Sequence, residues 1–341
     1  MLMPDAALER IAAAYHRFAE NEARGRAQLY ELLAHRIAGD AALLSLLVAL
    51  PPPRRQPNLF LAAVRHVAGK PLAWPAFRGT ALARWNEVSA VMLCRSTQTN
   101  EPGRCATLLP ILAGLPQPLA LIEVGASAGL CLLPDRYAYA YGEHVARGDH
   151  AATDAPVFRC QANSATPLPS AVPTIAWRAG LDINPLDVSD AEQMAWLETL
   201  VWPEQTDRAE HLRAAIRIAR TNPPRIVRGD LRNDLTTLVA EAPKDATLVI
   251  FHTAVLAYLP DAAERDAFAA SVCRLCDYWI SNETPRALPG IEARTPARIP
   301  PDRFLLAVNG EPVAISDPHG ATLDWIAATM PAPSNPMRLM C

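Results

Sequence analysis

The chain has 341 residues, half of them hydrophobic and a fifth charged, with a formal net charge of −3. That length and apolar content suit one large globular domain carrying a smaller one, and the near-neutral charge supplies no general attraction for nucleic acid or anionic membrane. No apolar run reaches the ~20 residues of a bilayer span, and the N-terminal MLMPDAALER lacks the basic-then-apolar layout of a signal peptide. Seven scattered cysteines (Cys94, Cys105, Cys131, Cys160, Cys273, Cys276 and Cys341) fit a reducing compartment better than a disulfide framework, so a cytoplasmic protein is expected.

Residues 5–50 carry apolar side chains at helical spacing, clearest in AALERIAAAYHRFAE and LYELLAHRIA, until Pro51 to Pro53 stop the pattern. NLFLAAVRHVAG and TALARWNEVSAVMLC read as two more helices around the turn-rich KPLAWPAFRG. Residues 1–115 are therefore expected to form a helical domain or cap. From 116 to 341 the pattern changes to short β-rich runs at 119–125, 174–183, 225–230, 246–254 and 277–283. Helical patterns at 189–201, 205–220, 233–241 and 262–276 lie between them. This alternation predicts an α/β domain with a mostly parallel sheet.

Two additions are expected. Tyr137 to Tyr141 alternates with period two and is matched with VFRCQA (157–162) as a hairpin insertion at about 136–162. FLLAVNG and EPVAISD, joined at Asn309-Gly310, predict an antiparallel C-terminal hairpin. Cys273 and Cys276 have zinc-ligand spacing without a second ligand pair, so they read as core thiols, and no metal is expected. Trp196 and Trp202 read as core side chains.

The segment LALIEVGASAGLCLL (119–133) places an acid and a strip of small residues at the end of the first main strand. Ligands of open α/β sheets bind outside the carboxyl ends of the strands. Gly125 and Gly129 would let backbone approach a ligand, Ser127 would keep the turn thin, and the following helix would present its amides. Glu123 would take a cationic or hydroxyl-bearing group. The bland alternative is that small residues let strand and helix pack closely.

Asp182 and Asp230 end the next two strands, with Asp187 and Asp190 competing for the first role and helix capping an alternative for Asp230. His252 ends the fourth and suits general-base work. Tyr258 could close over a ligand, and His319 could border the pocket. Before the sheet, CRSTQTNEPGR gathers Gln98, Asn100, Glu101 and Arg104 as candidate substrate contacts, with an ion pair between Glu101 and Arg104 as the alternative.

The acid-x-Gly-x-small-x-Gly turn resembles the S-adenosylmethionine site of class I methyltransferases with a Rossmann-like sheet. The blocks QTNEPGR, LIEVGASAGL, YAYAYG, GLDINPLDV, WLETLVWPEQTDR and DPHG resemble a bacterial family labelled a domain of unknown function, from QPNLFLAAV onward. The methyltransferase resemblance implies S-adenosylmethionine as cofactor. Glu123, Gly125, Ser127, Gly129, Asp182 and Asp230 would lie around it, and a small molecule would be the acceptor. The Asn-Pro-Pro-aromatic block of amino- and nucleobase-methylating enzymes is missing after the fourth strand, where IFHTAV stands. Two other readings remain open: a non-catalytic binder of a nucleotide-type ligand, and a serine hydrolase, since Gly-Ala-Ser-Ala-Gly places Ser127 as in a nucleophile elbow.

Overall fold

Apolar spacing in the first hundred residues produces six helices: α1 (Pro4–Phe18), α2 (Gln28–Ala38), α3 (Ala41–Val48), α4 (Pro57–Ala68), α5 (Trp74–Ala83) and α6 (Trp85–Cys94). Asp40 caps α3 by accepting from the Leu43 amide at 3.0 Å. Gly69 ends α4 in the left-handed conformation. The turn expected over 70–79 and the single helix over 80–94 are replaced by α5 and α6, parted at Arg84. Pro75 sits in the first turn of α5, where its missing amide costs nothing.

The computed structural model describes residues 4–148, 151 and 154–334. Cys341 and residues 149, 150, 152 and 153 of the expected insertion lie outside the described residues. The chain divides into two compact units, Met1–Thr99 with Ala191–Glu210, and Asn100–Asp190 with His211–Cys341. This differs from a boundary at 115/116. Helix α7 (Cys105–Gly114) belongs to the α/β unit, whereas α8 (Ala191–Leu200) and the start of α9 (Thr206–Thr221) belong to the helical one.

Hydrogen bonding explains the return of 191–210. Trp196 is buried in the helical core and donates to the Ser96 carbonyl at 2.9 Å, and Trp202 donates to Asn58 Oδ1 at 3.0 Å. Arg65 donates to the Val201 carbonyl at 2.5 Å. Around them the buried Phe60 ring meets Tyr15, Phe77 and Trp85 edge-on.

In the α/β unit the strands are β1 (Leu119–Val124), β2 (Ala138–Tyr141), β3 (His144–Arg147), β4 (Val157–Arg159), β5 (Gln161–Ala162), β6 (Ile175–Asp182), β7 (Arg225–Arg228), β8 (Thr247–Thr253), β9 (Tyr278–Glu283), β10 (Phe304–Val308), β11 (Glu311–Ser316) and β12 (Thr322–Trp325). Short α10 (Leu235–Val239), long α11 (Ala262–Leu275) and short α12 (Pro289–Glu292) lie between the later strands. Nine strands form one sheet in the order β5-β12-β11-β10-β9-β8-β1-β6-β7. All neighbours from β7 to β9 are parallel, so the sheet is mostly parallel and the fold mixed α/β. Strands β1, β8 and β9 are buried along their whole length, which explains the mainly apolar runs of β1 and β8 and the apolar first half of β9.

Strand order reverses at β1: the chain leaves it for β6 and β7 on one side and returns for β8 and β9 on the other. Such a switch point opens a crevice at the carboxyl ends of the strands. The C-terminal hairpin forms as expected, β10 against β11, with Asn309 at φ 53° and Gly310 at φ 81°. The insertion differs from the expected hairpin. Strand β2 pairs antiparallel with β3 and parallel with β4 in a separate three-stranded sheet, while β5 joins the main sheet beside β12.

Candidate functional site

The turn after β1 is built differently from the cradle its sequence suggests. No α-helix follows it; Leu130–Leu132 and Pro134–Arg136 form short 3-10 turns instead. Phenols from the Tyr-rich segment hold them, Tyr137 donating to the Leu130 carbonyl at 2.8 Å and Tyr139 to the Pro134 carbonyl at 2.7 Å. Arg178 on β6 donates bidentately to buried Asp135 at 2.7 and 2.9 Å, and also to the Leu132 carbonyl.

Most amides of the turn are already bonded. Gly125 donates to the Leu181 carbonyl at 2.8 Å, Ser127 to Asp182 Oδ2 at 2.8 Å, Gly129 to the Ala126 carbonyl at 2.7 Å, and Leu130 to Asn100 Oδ1 at 2.8 Å. The glycines meet protein as well. A Cβ on Gly125 would run into Val255 Cγ2, and one on Gly129 would lie 2.6 Å from Pro224 Cγ and 2.7 Å from Ile226 Cδ1. Both glycines have φ 72°, so they serve the backbone and close packing, in place of the expected open cradle.

The acids define the site more directly than the glycines do. Glu123 ends β1 at 2% exposure, and its Oε2 is buried without a hydrogen-bond partner. Burial pushes its carboxyl well above the usual range, helped by Cys131 and the like charge of Asp182 and opposed by Arg104. Asp182 ends the neighbouring β6, buried, with Oδ2 accepting from Ser127 and Oδ1 from the Asn184 amide at 2.7 Å. Arg104 is buried too. Its Nη1 donates to the Thr253 carbonyl and hydroxyl at 3.1 and 3.0 Å and its Nε to the Pro318 carbonyl at 2.8 Å, while Nη2 makes no hydrogen bond among the described residues.

The remaining candidates separate clearly. Glu101 Oε1 accepts from the Gly103 amide at 3.2 Å, and its Oε2 lies 3.7 Å from His319 Nδ1. Asn100 is committed to the turn through Leu130, and Gln98 belongs to the helical unit. Asp230 is held by Arg232, which donates to it through backbone and side chain and keeps its carboxyl below the usual range. That is a local turn; the following helix α10 is entered from Asp234, so the helix-capping alternative for Asp230 does not hold either.

Ser127 is strained at φ 54°, and its buried Oγ has no partner, so no histidine activates it as a nucleophile. His252 is fully buried with both ring nitrogens engaged. Nδ1 meets Glu283 Oε1 at 2.7 Å, and Nε2 accepts from Trp279 Nε1 at 3.0 Å. This corrects its assignment as general base, because neither nitrogen has a lone pair open to a substrate. Tyr258 is 73% exposed on the 3-10 turn Leu256–Tyr258. Surrounding protein raises its phenol pKa nonetheless, Arg104 lowers it, and Asp182 and Glu283 raise it.

Two functional candidates carry no sequence motif. Glu283, at the end of β9, has a buried Oε2 with no partner, and Cys131 donates its thiol to the Glu101 carbonyl at 3.3 Å and helps to raise the Glu123 carboxyl. A polar residue at the last position of a buried parallel strand was the available signal for Glu283. No helix among the described residues is long and apolar enough to cross a membrane, and no group of three or more potential ligand side chains among them could hold a metal ion.

No curated protein and no solved structure matches the chain. Residues 12–325 match the family described as "Uncharacterized protein conserved in bacteria (DUF2332)". With nearly the whole α/β unit and most of the helical unit inside that match, the chain belongs to this bacterial family.

Proposed function

We propose that the α/β unit receives S-adenosylmethionine at the carboxyl ends of β1 and β6 and transfers its methyl group to a small molecule. The observation that carries this reading is the pairing of two buried acids, Glu123 and Asp182, on adjacent strands at the switch point, with Glu123 Oε2 unpartnered. The cofactor would supply an electrophilic methyl group on a positively charged sulfur. Glu123 would accept from its hydroxyl or ammonium group, and ionise as a cation approaches. Asp182 would accept ribose hydroxyls while keeping the Ser127 amide in place. Arg104, with Nη2 free, would meet a carboxylate.

The glycine turn fits such a ligand less well than the acids do, because its amides and the space above Gly125 are taken by protein. This same observation favours a second reading: a protein that binds a nucleoside-type ligand without turnover, which needs no free base. The hydrolase reading loses its support, since Ser127 Oγ bonds to no histidine.

The test is calorimetric titration of the full chain with S-adenosylhomocysteine. Glu123→Gln and Asp182→Asn are each expected to weaken binding about tenfold or more, for the ~1.5–3 kcal/mol of a hydrogen bond to a charged group. Failure of the unaltered chain to bind, or unaltered affinity in both variants, would sink the reading. Binding with no methyl consumed across an acceptor panel would select the non-catalytic alternative.

A further inference from the structure

Glu283 takes no part in the reading above, yet its surroundings are constructed in detail. Its Oε1 accepts three N–H groups: His252 Nδ1 at 2.7 Å, the Val255 amide at 2.8 Å and the Leu256 amide at 3.2 Å. Because His252 Nε2 accepts from Trp279, the ring proton resides on Nδ1 and points at Glu283. The tautomer is thereby fixed, and His252 acts as a positioning residue for the carboxylate. The other oxygen, Oε2, is buried with no partner, in a side chain only 3% exposed. Buried polar atoms are almost always satisfied, so an orphan held this firmly calls for a donor that arrives from outside.

Charge narrows the choice of donor. Arg104 spends its bonds on neutral Thr253 and Pro318 groups, and no arginine or lysine among the described residues pairs with Glu283. The turn that Glu283 Oε1 holds carries the exposed Tyr258 ring, whose phenol senses Glu283, and an aromatic face favours an ammonium ion. We infer that Glu283 Oε2 receives the ammonium of a small amine beside Tyr258, so that the second ligand at this mouth is cationic. The amine site goes beyond the methyltransferase reading and does not depend on it.

The experiment titrates the full chain with ethanolamine, putrescine, tyramine and histamine, each against a neutral isostere lacking the ammonium. At least one amine is expected to bind tenfold or more tightly than its isostere. Glu283→Gln should abolish that preference and leave S-adenosylhomocysteine affinity unchanged. Amines no better than isosteres, or a preference that survives in Glu283→Gln, overturn the inference. If that variant does not fold, nuclear Overhauser contacts between the bound amine and the Tyr258 ring in the unaltered chain decide the point, and their absence overturns it. S-adenosylhomocysteine binding without amine preference defeats this inference alone; amine preference without S-adenosylhomocysteine binding defeats the earlier reading alone.

Discussion

Replacing Gly125 by alanine separates packing from ligand contact in the turn after β1. At φ 72° an L-residue carries the left-handed penalty of roughly 1–2 kcal/mol. The added Cβ would also strike Val255 Cγ2 and lie 3.0 Å from Cγ1, an overpacking that costs typically about 1–3 kcal/mol. Gly125→Ala is therefore expected to destabilise the chain by about 2–5 kcal/mol. Truncating the partner isolates the steric part. In a Val255→Ala background both methyls are gone and the nearest of these atoms left is Val255 Cβ, 3.2 Å away, so the cost should fall to about 1–2 kcal/mol. Urea denaturation of the four chains of this double-mutant cycle measures it directly. An equal cost of Gly125→Ala in both backgrounds, or none in either, would refute the claim that Val255 fills the space above the glycine.

The other expectations concern buried charge. Glu123 binds its proton more tightly folded than unfolded, so its unfavourable contribution is absent below the unfolded carboxyl pKa. It grows as pH rises from there toward the raised folded value, by about 1.4 kcal/mol per pH unit. Glu123→Gln should therefore flatten the loss of stability with rising pH and raise the melting temperature at neutral pH; an unchanged pH slope contradicts the burial argument. Asp135→Ala leaves the part-buried Arg178 without its bidentate partner and should cost about 1.5–3 kcal/mol by chemical denaturation. A loss under 1 kcal/mol would mean that the pair does not hold the 3-10 turns onto β6.

Much of the sheet was legible because its strands are buried on both faces. LALIEV and TLVIFHT are mainly apolar runs, YWISNE opens on three apolar residues, and each falls within two residues of its observed strand. Asn309-Gly310 announced its hairpin through the positive φ both residues adopt. Pairing was harder to read. Nothing in VFRCQA says that its first half pairs parallel to β2 and its second half leaves for β12, since period two fixes a strand's faces and not its neighbour. The candidate site divides along the same line. Acids at strand ends, Glu123 and Asp182, could be found from position alone. The closure of the glycine turn depends on Val255 and Pro224, about a hundred residues away in sequence, and the fate of His252 depends on Trp279 and Glu283.

The helical unit takes its last twenty residues from beyond β6, and this has a consequence for synthesis. A ribosome releases Thr99 roughly ninety residues before it reaches Ala191, an interval of about 5–20 s at ordinary elongation rates. Throughout that interval Arg65, Ser96 and Asn58 lack the partners that α8 and the segment after it supply, and the pocket for Trp196 stands empty. The N-terminal helices are thus born as an unfinished unit whose completion waits on the β1–β6 segment emerging first. A chain cut after the first hundred residues would expose that gap permanently, while one cut after residue 210 would close it.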